Sequence, residues 1–386
     1  MTNKKFKLAA MSLATAVAVS AVGPSASAVT YYLGDGSVTV GQDENRGAFS
    51  YQGEDRGDEN RTYVNVEKTE TGDGTIYVKG GNAGEVPPST DNSNNGTEET
   101  TPTDNDTQST DASGNNTENS STAETTTGNT ITVKEDVKDA TIVVDGVNVD
   151  TSTQTEALPD TESTGDKTII KVGEGAKVDL TVKDSNLTTG GNGIDIGVNL
   201  KGEDENKGAN VDLTLDHTKV NLTQNGKAGI NVQDNSDVNL TLKGENAIDG
   251  SKAIENEDLK KNVNVEGIRV GGGGAGDGSG ASEGAKTHLT ISGGVEKTET
   301  AEADTEETES PAGGSLTISK TTGGLVMADG SDVEITDGAD VTIEDTKTSS
   351  STQAGRAVTQ HGDLTLSGGS SLTIDGGKDN KVPHTG

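Results

Sequence analysis

The chain has 386 residues, a formal net charge of −34 and no cysteine, and only 28% of it is hydrophobic. So acidic a chain repels nucleic acid and anionic membrane surfaces and favours a soluble monomer, which excludes DNA and RNA as partners. Without cysteine there is no disulfide framework, no thiolate metal site and no cysteine nucleophile.

Residues 1–28 read as an export signal. Lys4, Lys5 and Lys7 form a positive start, Leu8 to Val22 an apolar run, and Ala26 and Ala28 the small residues at −3 and −1, so cleavage is expected after Ala28. No later segment is apolar enough to span a membrane. The product is therefore expected outside the cell. Residues 29–80 hold every aromatic of the mature chain, Tyr31, Tyr32, Phe49, Tyr51, Tyr63 and Tyr77. Their pattern is β-rich and predicts an N-terminal cap or a small leading module, because an open stack of strands exposes unpaired edges. Residues 87–128 are almost entirely Thr, Ser, Asn, Asp and Glu and read as a disordered insertion or linker.

Hydrophobic content this low signals disorder when it is spread evenly. Over residues 129–375 it is instead gathered into short packets such as Leu180-Thr181-Val182, Leu213-Thr214-Leu215, Leu240-Thr241-Leu242 and Leu364-Thr365-Leu366. Alternation at period two, bounded by Gly, Asn, Asp or Ser, marks short strands with one face buried. The packets sort into threes. A first strand begins near Leu180, Leu213, Leu240, Leu289, Val333 and Leu364, and a second near Leu187, Leu222, Ile248, Leu316, Val341 and Leu372. A third has its own signature, as in Gly193-Ile194-Asp195-Ile196, Gly229-Ile230-Asn231-Val232, Gly267-Ile268-Arg269-Val270 and Gly324-Leu325-Val326-Met327. Three strands per repeat of about 25 residues describe one turn of a three-sided parallel β-helix. The fold class is all-β, a solenoid of about seven rungs with long loop insertions. The glycines are expected at corners, where the chain needs positive φ or a tight bend.

The insertions beginning at Thr151 and Gly250 fall at one corner, between second and third strands. If Thr75-Ile76-Tyr77-Val78 belongs to an earlier rung whose third strand is Thr130 to Val133, the longest insertion leaves that corner too. Insertions gathered on one side of a solenoid decorate an interaction face, or mark a corner that tolerates length.

Outward residues of successive third strands are Asp195, Asn231 and Arg269, an acid, an amide and a base in one row. Asp195 and Arg269 are the catalytic candidates; the competing reading is an ordinary solvated face, since outward positions are normally polar. Sugar sites usually stack a ring on Trp or Tyr, and the helix region from about residue 130 has no aromatic. Binding candidates are therefore Asp195, Asn231 and Arg269 in the helix, and Tyr31, Tyr32 and Tyr51 before it. The histidines are widely spaced, and the Gly-Gly-x-Gly-x-Asp repeat that builds calcium rolls is absent. Calcium suits so acidic a chain, but no metal site and no cofactor can be assigned.

The export signal, the L-T-[LIV] and G-I-x-[VI] packets and the stretch VNLTLKGENAIDG (238–250) resemble a family of secreted Gram-positive surface proteins. That family has pectate-lyase-like right-handed parallel β-helices of the carbohydrate-binding-domain and adhesin type. The resemblance covers about residues 130–375 and brings no catalytic residues with it. In the polar tail, residues 376–386, Val382-Pro383-His384-Thr385-Gly386 resembles the Leu-Pro-x-Thr-Gly signal that sortases cut, with Val in place of Leu. The resemblance implies a non-enzymatic adhesin or carbohydrate-binding protein, secreted and anchored to the cell wall by sortase, with glycans or cell-surface proteins as partners. The alternatives are a polysaccharide lyase or hydrolase, and a structural stalk within a larger wall-anchored protein.

Overall fold

A computed structural model describes residues 29–42, 49–52, 61–65, 75–81, 126–135, 137–153, 167–200, 207–255, 264–272, 285–294, 313–346 and 355–375. The export signal with Ala26 and Ala28, and the tail with Val382, Pro383, Thr385 and Gly386, lie outside the described residues. So does most of the 87–128 insertion.

The described strands form three sheets, of nine, seven and ten strands, and the chain visits them in rotation. A typical rung runs from Lys177–Lys183 in the first sheet to Asn186–Thr189 in the second and Ile194–Val198 in the third. The next rung repeats this as Asn210–Asp216, Lys219–Leu222 and Lys227–Val232. Corresponding strands pair parallel and in register. The fold is a three-sided parallel β-helix.

The packets become interior ladders because every second residue points inward. In the first sheet Ile76, Ile142, Leu180, Leu213, Leu240 and Ile291 stack in one row. In the second, Leu187, Val220, Ile248, Ile318 and Ile343 stack in another. Each is buried, and burying one such side chain is worth about 1.5–3 kcal/mol. Three details of register differ from the sequence reading. Leu289 stands on Val238 rather than on Leu240, Leu187 stands on Val220 rather than on Leu222, and Leu316 stands on Asn246 rather than on Ile248. Each shift is by two residues, so the inward faces are unchanged.

The stack is longer than the expected seven rungs, because the residues expected as a cap or leading module join it. Val29–Tyr32 and Thr75–Lys79 are strands of the first sheet, and Ser37–Gly41 is a strand of the third. End protection falls to Arg61–Asn65 and Phe49–Gln52, which lie beyond Ser37–Gly41. Phe49–Gln52 supplies the only antiparallel pairing among the described strands. At the far end Leu366 and Ile374, in the last strands of the first and second sheets, are about half exposed.

The insertions do not gather at one corner. Segments 154–166, 256–263 and 347–354 lie between second and third sheets, and 201–206 and 273–284 between third and first. The longest, 82–125, leaves a different corner from the one expected. Thr75–Lys79 is in the first sheet, and Thr127 bridges Val149 of the second. Among the described residues no helix is long and apolar enough to cross a membrane.

Candidate binding site on the third sheet

Four signature glycines aim the third-sheet side chains. Gly193, Gly229, Gly267 and Gly324 are not among the glycines with positive φ, so of the two expected reasons, positive φ or a tight bend, the first does not apply to them. A Cβ on Gly229 would stand 2.5 Å from Ile248 Cγ2, and one on Gly267 2.3 Å from Ile318 Cγ2. The second-sheet isoleucines fill the space a side chain would need. With that corner pressed tight, the residue before each glycine comes beside the residue two after it.

This is how the row is built. Asp195, Asn231 and Arg269 are register partners on adjacent strands. They are not a solvated face, being only 7%, 6% and 6% exposed. Buried polar groups must be hydrogen-bonded to be tolerated, and most of these are. Asn192 Nδ2 donates to Asp195 Oδ2 at 2.8 Å, while Asn231 Nδ2 and Gln233 Nε2 donate to Asp195 Oδ1 at 2.8 and 2.9 Å. Arg269 Nε donates to Glu266 Oε2 in a buried ion pair. Asn264 Nδ2 donates to Glu266 Oε1 at 3.0 Å, and Asn264 Oδ1 accepts from Thr322 Oγ1 at 3.1 Å.

Two atoms are left over. Asn231 Oδ1 and Arg269 Nη2 are buried without a hydrogen-bond partner. The cause is visible in the sequence of the three rungs. Asp195 has Asn192 three residues before it and Arg269 has Glu266, but Asn231 has Ala228, which offers no polar side-chain atom. The acceptor and the donor lie on neighbouring strands, where rungs are about 4.8 Å apart.

The Asp195 carboxylate is held by three amide donors and the Arg269 guanidinium by Glu266, so both side chains are fixed in position. The row is suited to hydrogen-bond recognition. Insertions bracket it: 154–166 and 256–263 end where the chain enters the third sheet, and 201–206 and 273–284 begin where it leaves.

The tyrosines are not brought to this row. Tyr31 stacks on Val78 in an inward ladder of the first sheet and packs against the core. Burial there pushes its hydroxyl pKa well above the usual tyrosine range. Tyr32 is half-buried opposite Lys79, and Tyr51 pairs with Thr62 at the far end of the third sheet. Thr39, the row's counterpart in Ser37–Gly41, is three strands from Asp195, or about 15 Å at ordinary strand spacing. Among the described residues no three metal-ligating side chains converge.

Sequence reasoning missed Asn192, Glu266 and Gln233. The signal for the first two is a polar pair straddling Gly-Ile, as in Asn192-Gly193-Ile194-Asp195 and Glu266-Gly267-Ile268-Arg269. Comparison with protein-family models, curated proteins and solved structures finds no match. The parallel β-helix is the part of the family resemblance that the structure carries.

Proposed function

We propose that this is a non-enzymatic, surface-displayed β-helix that binds carbohydrate through the outer row of its third sheet. The observation that carries the reading is the Asp195–Asn231–Arg269 row. It is preorganised by buried hydrogen bonds, it is bracketed by insertions, and it ends in a donor and an acceptor with no partner. Leaving such groups unmade costs about 1–3 kcal/mol each, a cost that a polar ligand making both bonds removes. With no aromatic in reach, recognition falls to the amides and the guanidinium rather than to ring stacking. Export and display follow from the N-terminal signal and the tail motif, and sortase is the partner that the motif names.

A glycan array and a cell-adhesion assay with the chain from Val29 onward, with and without calcium, test the proposal. Glycan binding is expected in both conditions, because the row needs no metal. Absence of binding in both rules the reading out. Release of products from a polysaccharide that stops in Asp195→Ala would replace it with the enzymatic alternative.

A further inference from the structure

We infer that Asn231 and Arg269 together take a neutral hydroxyl group, so that the ligand is an uncharged polyhydroxylated glycan and not an acidic one. The inference rests on the carbohydrate-binding reading and narrows its ligand class. Three observations lead to it.

The first is complementarity. Arg269 Nη2 can only donate and Asn231 Oδ1 can only accept, and both are buried and unpartnered. A hydroxyl accepts from the one and donates to the other. A carboxylate can satisfy Nη2 but has no proton for Oδ1, and it sets a second acceptor against the first. The Asn231 amide cannot turn over to help, because its Nδ2 donates at 2.8 Å to Asp195 Oδ1.

The second is charge. Arg269 is neutralised by Glu266 in direct contact, and Asp195 stands beside Lys171 in register. Two cations and two carboxylates cancel along the row. An incoming anion meets no surplus positive charge there, and the whole chain, at −34, repels it at longer range.

The third is the cause of the unmade bonds. In the three rungs of the row the polar pairs spanning a glycine are Asn192 with Asp195 and Glu266 with Arg269, and Ala228 breaks the pattern at the middle one. What is missing is thus a donor for Asn231 Oδ1 and an acceptor for Arg269 Nη2 on neighbouring rungs, and a group that both donates and accepts can supply the two. A water molecule and a sugar hydroxyl share this chemistry, and the sugar hydroxyl is the source proposed.

The test is calorimetric titration of the full chain with two neutral polysaccharides, a soluble glucan and a mannan, and two acidic ones, polygalacturonate and alginate. It is repeated in two variants. Asn231→Ala removes the acceptor, and Arg269→Lys keeps a cation beside Glu266 while removing Nη2. Binding of a neutral polysaccharide but of neither acidic one is expected, weakened about tenfold in each variant, as loss of one buried hydrogen bond predicts. If a variant does not keep the wild-type β spectrum, the side-chain NH2 resonances of Asn231 in the unmodified chain give the same answer by shifting with the neutral polysaccharide only. Tighter binding of an acidic polysaccharide overturns the inference and leaves the carbohydrate reading standing. Neutral binding that both variants retain shows that the pair holds only water, and overturns it too. Failure of all four polysaccharides to bind overturns both readings.

Discussion

Gly229 shows how much of this molecule is decided by single atoms. Its hydrogen occupies a space where a methyl group would stand 2.5 Å from Ile248 Cγ2 and 2.9 Å from the Gly267 carbonyl oxygen. Gly229→Ala is expected to lower stability by about 1–3 kcal/mol through overpacking, measured by chemical denaturation. A change within a few tenths would show that the corner yields. Asp179 is a case with the opposite sign. It is exposed on the first sheet, but partial desolvation by neighbouring rungs, then the adjacent Asp212 carboxylate, raise its pKa above the usual aspartate value. A carboxyl that titrates higher in the folded than in the unfolded chain keeps its proton preferentially when folded. Its ionisation therefore costs stability as pH rises through the carboxylate range, and the cost is relieved as pH falls. Asp179→Asn should raise the melting temperature at neutral pH, with the gain vanishing in acid. A gain that persists below the carboxylate range would assign it to packing instead.

Strand position and face were legible in the packets, because alternation at period two and bounding turn residues are local signals. Corner chemistry was not. Ser185, Thr218 and Asn246 are polar residues at the corners, and they are buried at 2–3% exposure, with Asn246 in register with Leu316. They cap corner backbone: Thr218 N donates to Asn246 Oδ1 at 2.9 Å, and Asn246 Nδ2 to Lys243 O at 3.0 Å. The row Asp195–Asn231–Arg269 was visible as a periodicity, but its burial was not, since its partners come both from three residues earlier, as Asn192 and Glu266, and from the next rung, as Asn231 and Gln233 do for Asp195. A second element-scale pattern was also missed. Lys79, Asp145, Lys183, Asp216 and Lys243 follow one another in register along the first sheet, and Asp145 lies 3.2 Å from Lys183 Nζ and 3.8 Å from Lys79 Nζ. Alternating charge penalises a slip of one rung. Asp145→Lys puts three cations side by side and should cost about 1 kcal/mol at low ionic strength, with most of the loss recovered in high salt. A loss that salt does not relieve would contradict the charge ladder.

As a whole molecule the protein is a stack in which each rung touches only its neighbours, so stability is close to a sum over rungs and interfaces. That explains how a chain so poor in hydrophobic residues folds without disulfides: the interior is one continuous core made of ladders. It also explains why segments as different as 82–125 and 201–206 can leave different corners, since insertion at a corner leaves ladder pairing intact. Function is then a matter of which face is specialised. The third sheet stands apart, with a buried polar row, a donor and an acceptor unpaired, and insertions entering and leaving on both sides. Amide hydrogen exchange of the full chain with and without a neutral polysaccharide tests that claim most directly. Slowed exchange is expected in Ile194–Val198, Lys227–Val232 and Val265–Val270 and the corners that adjoin them, with the first and second sheets unchanged. Slowing confined to those two sheets, or to the tyrosine-bearing strands near the N-terminus, would contradict it.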